Sequence, residues 1–502
     1  MHCRTSLCNK LLAMLFNSYI FIFAYLPIVF LGFFLAAMKN EKLAALWLVS
    51  ASLFFYGWWN PKFVLLLLLS ICFNFLVGHF IGRNTRKKLT LIFGITFNIA
   101  LLLFYKYSNF FLITANGLGA NFQLLDIVLP LGISFFTFTQ IAYLVDVYEG
   151  KVYEYDFIHY LLFVTWFPHL IAGPVLHHKQ LMPQFANHDS YKLNLDSLLV
   201  GLSFFSFGLF KKVVLADQFA VFANPLFAAD GITHPMALAS WIGAIAYTFQ
   251  LYFDFSGYSD MAIGLSRMFN IQLPINFYSP YKASNIIDFW RRWHITLSEF
   301  LRDYLYIPLG GNKKGSLRRH VNLFAVMLLG GLWHGSGWNF VLWGGLHGVY
   351  LMLNHLWRYL TNAHKKTNNL FFKIASGAFT FVLVVIAWVP FRSTSIVDTI
   401  EIWRGMIGLN GGGFAVRYIF PDGQASAQEA FRWIALGTLI VFLFPNTQQL
   451  IQKFLSIRKS CSQKSLSLGC KADAIFGCIV GFSFFISVIL FKKNSPFIYF
   501  QF

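Results

Sequence analysis

Residues 62–82 read KFVLLLLLSICFNFLVGHFIG, an apolar run whose single lysine stands at its first position. A transmembrane helix needs about 20 predominantly apolar residues to cross the hydrocarbon core of a bilayer. This run meets that requirement, and similar runs recur along the chain. Further clear runs lie near residues 18–38, 43–59, 89–106, 236–253, 321–333, 340–356, 371–391, 430–445 and 474–491, and interrupted runs lie near 127–147, 156–173 and 197–215. We therefore predict about 11 membrane spans, within a range of about 9 to 13.

The composition indicates that lipid is the solvent for most of the chain. Of the 502 residues, 57% are hydrophobic and 12% are charged; an ordinary soluble domain carries about twice that charged share. A soluble globule of this length could not bury so much apolar surface in one core. Disordered proteins, disulfide scaffolds, coiled coils and ordinary cytosolic enzymes are excluded on the same grounds. We predict an all-α integral membrane protein, a single polytopic domain over residues 1–502 with re-entrant or interfacial helices beside its spans.

The charge balance indicates an orientation in the membrane. The net charge of +19 comes from 39 Lys and Arg against 20 Asp and Glu. A nucleic-acid binder would carry such cations on a polar domain, and no such domain lies between the apolar runs, so nucleic acid is not an expected partner. Lys and Arg accumulate in cytoplasmic loops, which places the cluster Arg83, Arg86, Lys87 and Lys88 in the cytoplasm. Three spans precede this cluster, so we expect the N-terminus to lie outside.

No cofactor signal is present in the sequence. The six cysteines form no C-x-x-C pair, and no set of histidines and carboxylates has the spacing of a zinc site. No glycine-rich motif of the kind that binds ATP or a dinucleotide occurs either. We therefore expect no metal and no cofactor.

The stretch 282–319 is basic and aromatic rather than apolar. Ser284 is predicted to cap a helix that begins at Asn285 and ends before Pro308 and Gly310-Gly311. Asp288 would face Arg291 and Arg292, at the i+3 and i+4 positions of that helix. Its pattern is compatible with an interfacial helix held by snorkelling cations. The eight basic residues of the stretch are Lys282, Arg291, Arg292, Arg302, Lys313, Lys314, Arg318 and Arg319.

Histidines inside apolar segments are candidates for chemistry, because polar groups in a membrane are costly and rare. His334 closes an apolar run, and glycines at 330, 331, 335 and 337 allow close approach of a backbone or a ligand. It is compatible with a neutral general base, but the residues alone favour a packed histidine bonded to a carbonyl. His347 follows thirteen residues later, which on one helix is the opposite face, so the two would not chelate one metal.

Two acidic residues also interrupt an apolar stretch. Asp254 and Asp260 lie in Tyr252-Phe-Asp-Phe-Ser-Gly-Tyr-Ser-Asp260. They are candidates for a proton relay, and the alternative is a pair of structural carboxylates near a helix break. The pattern favours the structural interpretation.

An ordered set of short motifs resembles the membrane-bound O-acyltransferase family, in the bacterial branch typified by alginate O-acetyltransferases. The motifs cover most of residues 15–460, with their core at about 127–350. They are LPLGISFF from Leu129, IAYLVDV from Ile141, FPHLIAGP from Phe167, YFDFSGYSDMAIG from Tyr252, FWRRWH from Phe289, LRDYLYIPLGG from Leu301 and GGLWHG from Gly330.

The resemblance implies a ring of helices around a funnel in the bacterial inner membrane, crossed many times by the chain. It implies His334, in W-H-G, as the catalytic base, and His294, in R-W-H, as a lining or orienting residue. Acetyl-CoA is the implied donor, and the stretch 282–319 suits its phosphates. The docking residues are predicted to be Arg291, Arg292, Arg302, Lys313 and Lys314. Trp333, Trp338 and Asn339 are candidate N–H donors to the developing oxyanion.

The implied function is transfer of acetyl groups from cytoplasmic acetyl-CoA to hydroxyls of an extracytoplasmic polysaccharide of the alginate type. A periplasmic or surface SGNH-type acetyltransferase is the expected partner, because no extracytoplasmic catalytic domain is apparent in the chain. Peptidoglycan O-acetylation by the same chemistry is an alternative. A transporter or a scaffold without catalysis is another.

The two ends of the chain carry separate expectations. Residues 1–13 look like an extension before the usual start of the family, and Met1 and Met14 are both possible starts. The run 19–37 is too long for the apolar part of a signal peptide, so we expect a retained span. Residues 495–502, SPFIYFQF, resemble a short aromatic C-terminal motif of this branch. By that likeness Tyr499 is a candidate acyl relay, and a plain aromatic interface anchor is the alternative.

Overall fold

The computed structural model describes residues 14–83, 85–152, 156–171, 173–228, 234–361, 369–410, 426–464, 466–491 and 495–498. Throughout these residues every regular element is helical, which confirms the all-α prediction. The α-helices before residue 230 are α1 (Leu26–Ala37), α2 (Glu41–Trp59), α3 (Lys62–Arg83), α4 (Lys87–Leu102), α5 (Ser108–Gly117), α6 (Ile133–Tyr148), α7 (Phe157–Thr165), α8 (Phe167–Leu170), α9 (His178–Phe185), α10 (Leu195–Phe210) and α11 (Asp217–Phe227).

The remaining α-helices begin with the longest one of the described chain. They are α12 (Ala237–Met268), α13 (Ile286–Trp290), α14 (Ile295–Leu301), α15 (Gly315–His334), α16 (Trp338–Leu360), α17 (Leu370–Arg392), α18 (Ile396–Met406), α19 (Ala427–Leu443), α20 (Thr447–Lys464) and α21 (Leu466–Ile489). Short π-helical segments lie at Phe21–Tyr25, Leu103–Tyr107, Lys211–Ala216 and Arg302–Tyr306, and 3₁₀ turns lie at His188–Tyr191 and Pro280–Lys282.

The chain divides into two compact units. One comprises Met1–Phe210, Tyr258–Ile275 and Lys471–Phe500. The other comprises Lys211–Gly257, Asn276–Cys470 and Gln501–Phe502, and it contains both candidate histidines, His294 and His334. That the whole of residues 1–502 acts as one polytopic domain stays a prediction.

Several helices are suited to a bilayer. In the described part of the chain, four are long and apolar enough to cross it: Lys62–Arg83, Lys87–Gly117, Leu195–Phe227 and Leu370–Arg392. The pair Ala427–Leu443 and Thr447–Lys459, bent by 54°, makes a fifth if it is counted as one span, and shorter apolar helices lie at Phe21–Ala37, Ile133–Tyr148 and Asp473–Ile489. The count of about 11 spans stays a prediction. Other long helices, among them α12 and α16, are more polar than these.

The first unit joins its apolar helices by buried amides. Asn74 of α3 donates to Asn98 Oδ1 of α4 at 3.1 Å, and Asn98 donates back to Asn74 Oδ1 at 2.6 Å. Gln140 of α6 donates to the hydroxyl of Ser70 at 3.0 Å. Side-chain hydrogen bonds of this kind hold helices together where lipid offers no hydrophobic driving force between them.

The basic stretch of the second unit differs from the single helix that we predicted. Asn285, not Ser284, is the N-cap; its side chain accepts from the Asp288 backbone N–H at 3.0 Å. Arg292 Nε donates to Asp288 Oδ1 at 2.9 Å, as the i,i+4 spacing predicts. The helix ends at Trp290, because the chain turns through a left-handed residue, His294, before α14 begins. The break places His294 at a bend instead of on the surface of a continuous helix.

Glycines fix the packing of α15 against α16. A Cβ on Gly344 would collide with the backbone oxygen of Met327, and one on Gly331 would collide with the oxygen of Phe340. A Cβ on Gly348 would lie 2.7 Å from the Phe324 ring. Gly344 and Gly348 form a G-x-x-x-G pair, the pattern that lets two helix backbones approach closely in a membrane. The residues at the end of α15 are therefore held against the first turns of α16.

Candidate functional site

His334 is the last residue of α15, and its imidazole is buried at 5% exposure. Its ring packs edge-on against Trp343 at a centroid distance of 5.0 Å and against Phe391 at 5.2 Å. Gly335 follows with an extended backbone, and any side chain there would collide with the Phe340 ring. The histidine therefore stands at a helix end inside an aromatic shell, where a low dielectric strengthens polar interactions.

His294 is completely buried at the bend before α14, with a backbone φ of 43°. A non-glycine residue in this region is strained, and such residues cluster at functional sites. Its Nδ1 lies 3.1 Å from Asn276 Oδ1. The same oxygen accepts from the backbone N–H and the hydroxyl of Thr296 at 3.3 and 3.0 Å. Because this oxygen only accepts, Nδ1 of His294 is the protonated nitrogen and Nε2 carries the lone pair.

The charge state of His294 follows from its surroundings. This residue lies outside the membrane-spanning helices, in the bend between α13 and α14. Burial lowers the pKa of His294 to about 3, because an apolar environment disfavours the imidazolium cation. Phe255 packs edge-on against the imidazole at a centroid distance of 4.8 Å. His294 is thus a neutral imidazole at physiological pH.

The structure brings the two candidate histidines, His294 and His334, together. The imidazole centroids of His294 and His334 lie 6.4 Å apart, although the two residues are forty positions apart in sequence. Trp333 borders both rings, at 6.3 Å from His294 and 4.9 Å from His334. Two imidazole rings at this separation can orient and deprotonate one small polar group between them.

A third histidine lies in the same aromatic cluster and was missed as a functional candidate. His347 of α16 is fully buried, and its ring lies 4.8 Å from that of Trp343. The angular argument from the sequence treated His334 and His347 as residues of one helix. They lie on two helices, since one helix ends at His334 and the next begins at Trp338. The glycines at 335 and 337 are the signal that could have predicted this break.

The predicted docking residues fall into two groups. Arg292 is paired with Asp288, and Arg302 Nε lies 2.7 Å from Asp303 Oδ1. Arg291, Lys313 and Lys314 are exposed. A polyanion would therefore meet these three cations most readily, because the charge of the first two is already partly neutralised.

Asp254 is part of a buried ion-pair cluster. Lys212 Nζ lies 2.6 Å from Asp254 Oδ1 and 3.0 Å from Asp217 Oδ1, and all three side chains are at most 8% exposed. Lys212 lies in the π-helical segment Lys211–Ala216, and Asp254 lies on α12. This geometry favours the structural interpretation of Asp254 over a proton relay.

Two of the candidate oxyanion donors are poorly placed for that role. The side-chain amide of Asn339 donates to the backbone oxygens of Pro390 and Ser393 at 3.1 and 2.8 Å, which uses both of its hydrogens. Trp338 is 52% exposed. Asn339 instead ties the start of α16 to the end of α17.

The C-terminal candidate Tyr499 lies outside the described residues. Its neighbours Phe497 and Ile498 are buried, and Phe497 packs edge-on against Tyr258 at a centroid distance of 4.3 Å. Among the described side chains, no group of three or more His, Cys, Asp or Glu residues is arranged to hold a metal ion.

Comparison with known proteins agrees with the motifs. Residues 148–395 match the model of the membrane-bound O-acyltransferase family. The chain is 47% identical to a peptidoglycan O-acetyltransferase of Helicobacter pylori, over 80% of this chain and 81% of the relative. It is 42% identical to the probable alginate O-acetylase AlgI of Pseudomonas aeruginosa, over 78% and 75%. It is 27% identical to a teichoic acid D-alanyltransferase of Bacillus subtilis, over 51% and 65%.

Proposed function

Because this chain belongs to the membrane-bound O-acyltransferase family, we propose that it moves acetyl groups from cytoplasmic acetyl-CoA to hydroxyls of an extracytoplasmic glycan. Membrane O-acyl transfer onto a polymer is the activity that its relatives share by name. The bacterial inner membrane is the proposed location, since the donor is cytoplasmic and the acceptor is not.

Similarity to the named relatives bears most directly on the identity of the acceptor glycan. Identity is 47% to the peptidoglycan O-acetyltransferase and 42% to the alginate O-acetylase. Coverage of the chain is similar in both comparisons, so we place peptidoglycan ahead of an alginate-like exopolysaccharide, which reverses the order suggested by the motifs. Both acceptors offer secondary or primary sugar hydroxyls to the same chemistry.

The observation that carries the proposal is the contact of His294 with His334 inside a buried aromatic shell. His334 would remove the proton from the acceptor hydroxyl as the oxygen attacks the thioester carbonyl. His294, held through Nδ1 by Asn276, would present its Nε2 lone pair and orient the reacting group. A positioned base contributes roughly 10²–10⁴-fold to the rate. The proton then passes from His334 to the departing CoA thiolate.

Docking of the donor is proposed for the basic stretch. Arg291, Lys313 and Lys314 are the exposed cations that would meet the phosphates of acetyl-CoA, and Arg292 and Arg302 would contribute less. Charge reversal at Arg291 should raise KM for acetyl-CoA and make KM less dependent on salt, without a matching loss of kcat.

Delivery to the glycan involves steps beyond this site. A periplasmic or surface acetyltransferase of the SGNH type is the proposed partner, and Tyr499 is the proposed carrier of the acetyl group. Replacement of Tyr499 by phenylalanine should leave membrane insertion intact and abolish glycan acetylation.

The proposal is tested by feeding acetyl-labelled CoA to membranes that contain the protein and identifying the labelled product. His334→Ala should abolish transfer while the protein still accumulates in the membrane. His234→Ala is the matched control, because its side chain is 74% exposed. If His334→Ala transferred acetyl groups at the normal rate, a scaffold role would be favoured. If it blocked glycan export instead, a transporter would be favoured.

A further inference from the structure

His347 has a fixed tautomer. Its Nδ1 accepts a hydrogen bond from the indole N–H of Trp290 at 3.3 Å. An indole nitrogen can only donate, so Nδ1 holds the lone pair and the proton of the neutral ring is on Nε2. His347 is therefore a hydrogen-bond donor through Nε2, the opposite arrangement to that of His294.

This donor is buried without a partner. The residue has 0% exposure. Among the residues that the structure describes, no hydrogen-bond acceptor lies within reach of Nε2. Buried polar groups are nearly always paired, and exceptions mark functional sites or binding partners outside the chain. The rings around it belong to Trp290, Trp343, Phe289, Tyr350 and Trp388.

The position of this donor relative to the base is fixed by packing. Trp343 contacts both imidazoles, at 5.0 Å from His334 and 4.8 Å from His347. The helices that carry them are held together by the Gly344 and Gly348 contacts described above. The structure therefore places the base His334 and the N–H donor His347 against the same indole ring, in an apolar environment.

We propose that His347 is a catalytic hydrogen-bond donor whose Nε2–H binds the carbonyl oxygen of the acyl thioester. This inference rests on the proposed acetyl transfer. An aromatic enclosure that holds this N–H suits a small acyl group, which has an apolar methyl and one carbonyl oxygen to satisfy.

In the reaction, the acceptor oxygen forms a bond to the thioester carbon as His334 takes its proton. The carbonyl electron pair moves onto oxygen, and the Nε2–H of His347 stabilises that oxyanion. The oxyanion collapses, the carbon–sulfur bond breaks and the CoA thiolate takes the proton from His334. His347 keeps its own proton throughout, as a donor that Trp290 has already oriented.

The test compares two substitutions at His347 with a control on the same helix. His347→Phe keeps an aromatic ring and removes the N–H, whereas His347→Gln keeps an N–H donor. His355→Phe is the control, at a half-buried position of α16 outside the cluster. We expect His347→Phe to lower kcat by roughly 10²–10³-fold, the loss typical of a single oxyanion donor. KM for acetyl-CoA should change little, and His347→Gln should recover part of kcat.

A second readout does not depend on turnover. With acetyl-CoA carrying ¹³C at the carbonyl, bound to the His334→Ala protein, the carbonyl stretch should lie at lower frequency than in solution. Adding His347→Phe should return it toward the solution value.

Normal kcat in His347→Phe would overturn the proposal. Equal losses of kcat in the Phe and Gln variants, together with a matching fall in melting temperature, would also overturn it. These two results together would indicate that His347 has only a packing role. Failure of the unmodified protein to transfer acetyl would instead contradict the proposed function.

Discussion

The side-chain oxygen of Asn276 lies 3.1 Å from Nδ1 of His294 and decides which nitrogen of that imidazole carries the proton. The backbone N–H and hydroxyl of Thr296 converge on the same oxygen. Partners that orient a reacting histidine in this way are often nearly as important as the histidine itself.

Asn276→Leu removes the acceptor and should lower kcat by about 10–100-fold, because His294 would lose its fixed tautomer and ring orientation. The measurement is acetyl transfer at saturating acetyl-CoA, alongside the melting temperature. Asn410→Leu is a suitable control, since the Asn410 side chain likewise makes more than one hydrogen bond, donating to the backbone oxygens of Pro235 and Glu401, and lies away from the site. A variant with full kcat would show that Asn276 does not orient the site.

Asn276→Asp should change the pH dependence. In the unmodified protein the pKa of His294 is lowered to about 3 by burial, so this residue stays neutral between pH 5 and 8. Its titration therefore causes no loss of activity on the acid side of the pH profile in that range. A carboxylate at position 276 favours the imidazolium and raises that pKa. Activity should then be lost as the pH falls through the raised pKa, because protonated Nε2 is no longer an acceptor. A profile of kcat/KM against pH tests this; superimposable profiles would contradict it.

The sequence predicted the helical class, because that class depends on local patterns, whereas the roles of His294 and His334 come from the family resemblance and stay predictions. Apolar runs of spanning length indicate helices, although the glycines after His334 were not used to predict that a helix ends there. The contact of His294 with His334 was not predictable from the residues alone. It depends on the left-handed turn at His294, which the basic, aromatic pattern around it does not encode. The sequence did not indicate a donor role for His347 for a related reason. The angular argument from its spacing to His334 holds only if both residues lie on one continuous helix.

The buried cluster around Lys212 should govern stability. Lys212→Met leaves the Asp254 and Asp217 carboxylates buried without their cation. Breaking a buried pair on one side costs about 3–5 kcal/mol. The double variant Lys212→Met with Asp254→Asn should recover part of this loss, because fewer charges remain uncompensated. Thermal unfolding in detergent measures both. Equal melting temperatures for the single variant and the unmodified protein would refute this account.

Two adjacent glycines of α16 offer a matched test of the packing that holds the site. Gly344→Ala places a methyl group against the backbone oxygen of Met327, which cannot move without shifting α15. At Gly345 the same methyl group meets only the Leu328 side chain, at an ordinary 3.6 Å. Overpacking of this kind costs about 1–3 kcal/mol. Gly344→Ala should therefore lower the melting temperature and reduce kcat, because His334 and Trp343 would separate. Gly345→Ala should do neither. Similar behaviour of the two variants would mean that α15 and α16 are not held together at Gly344.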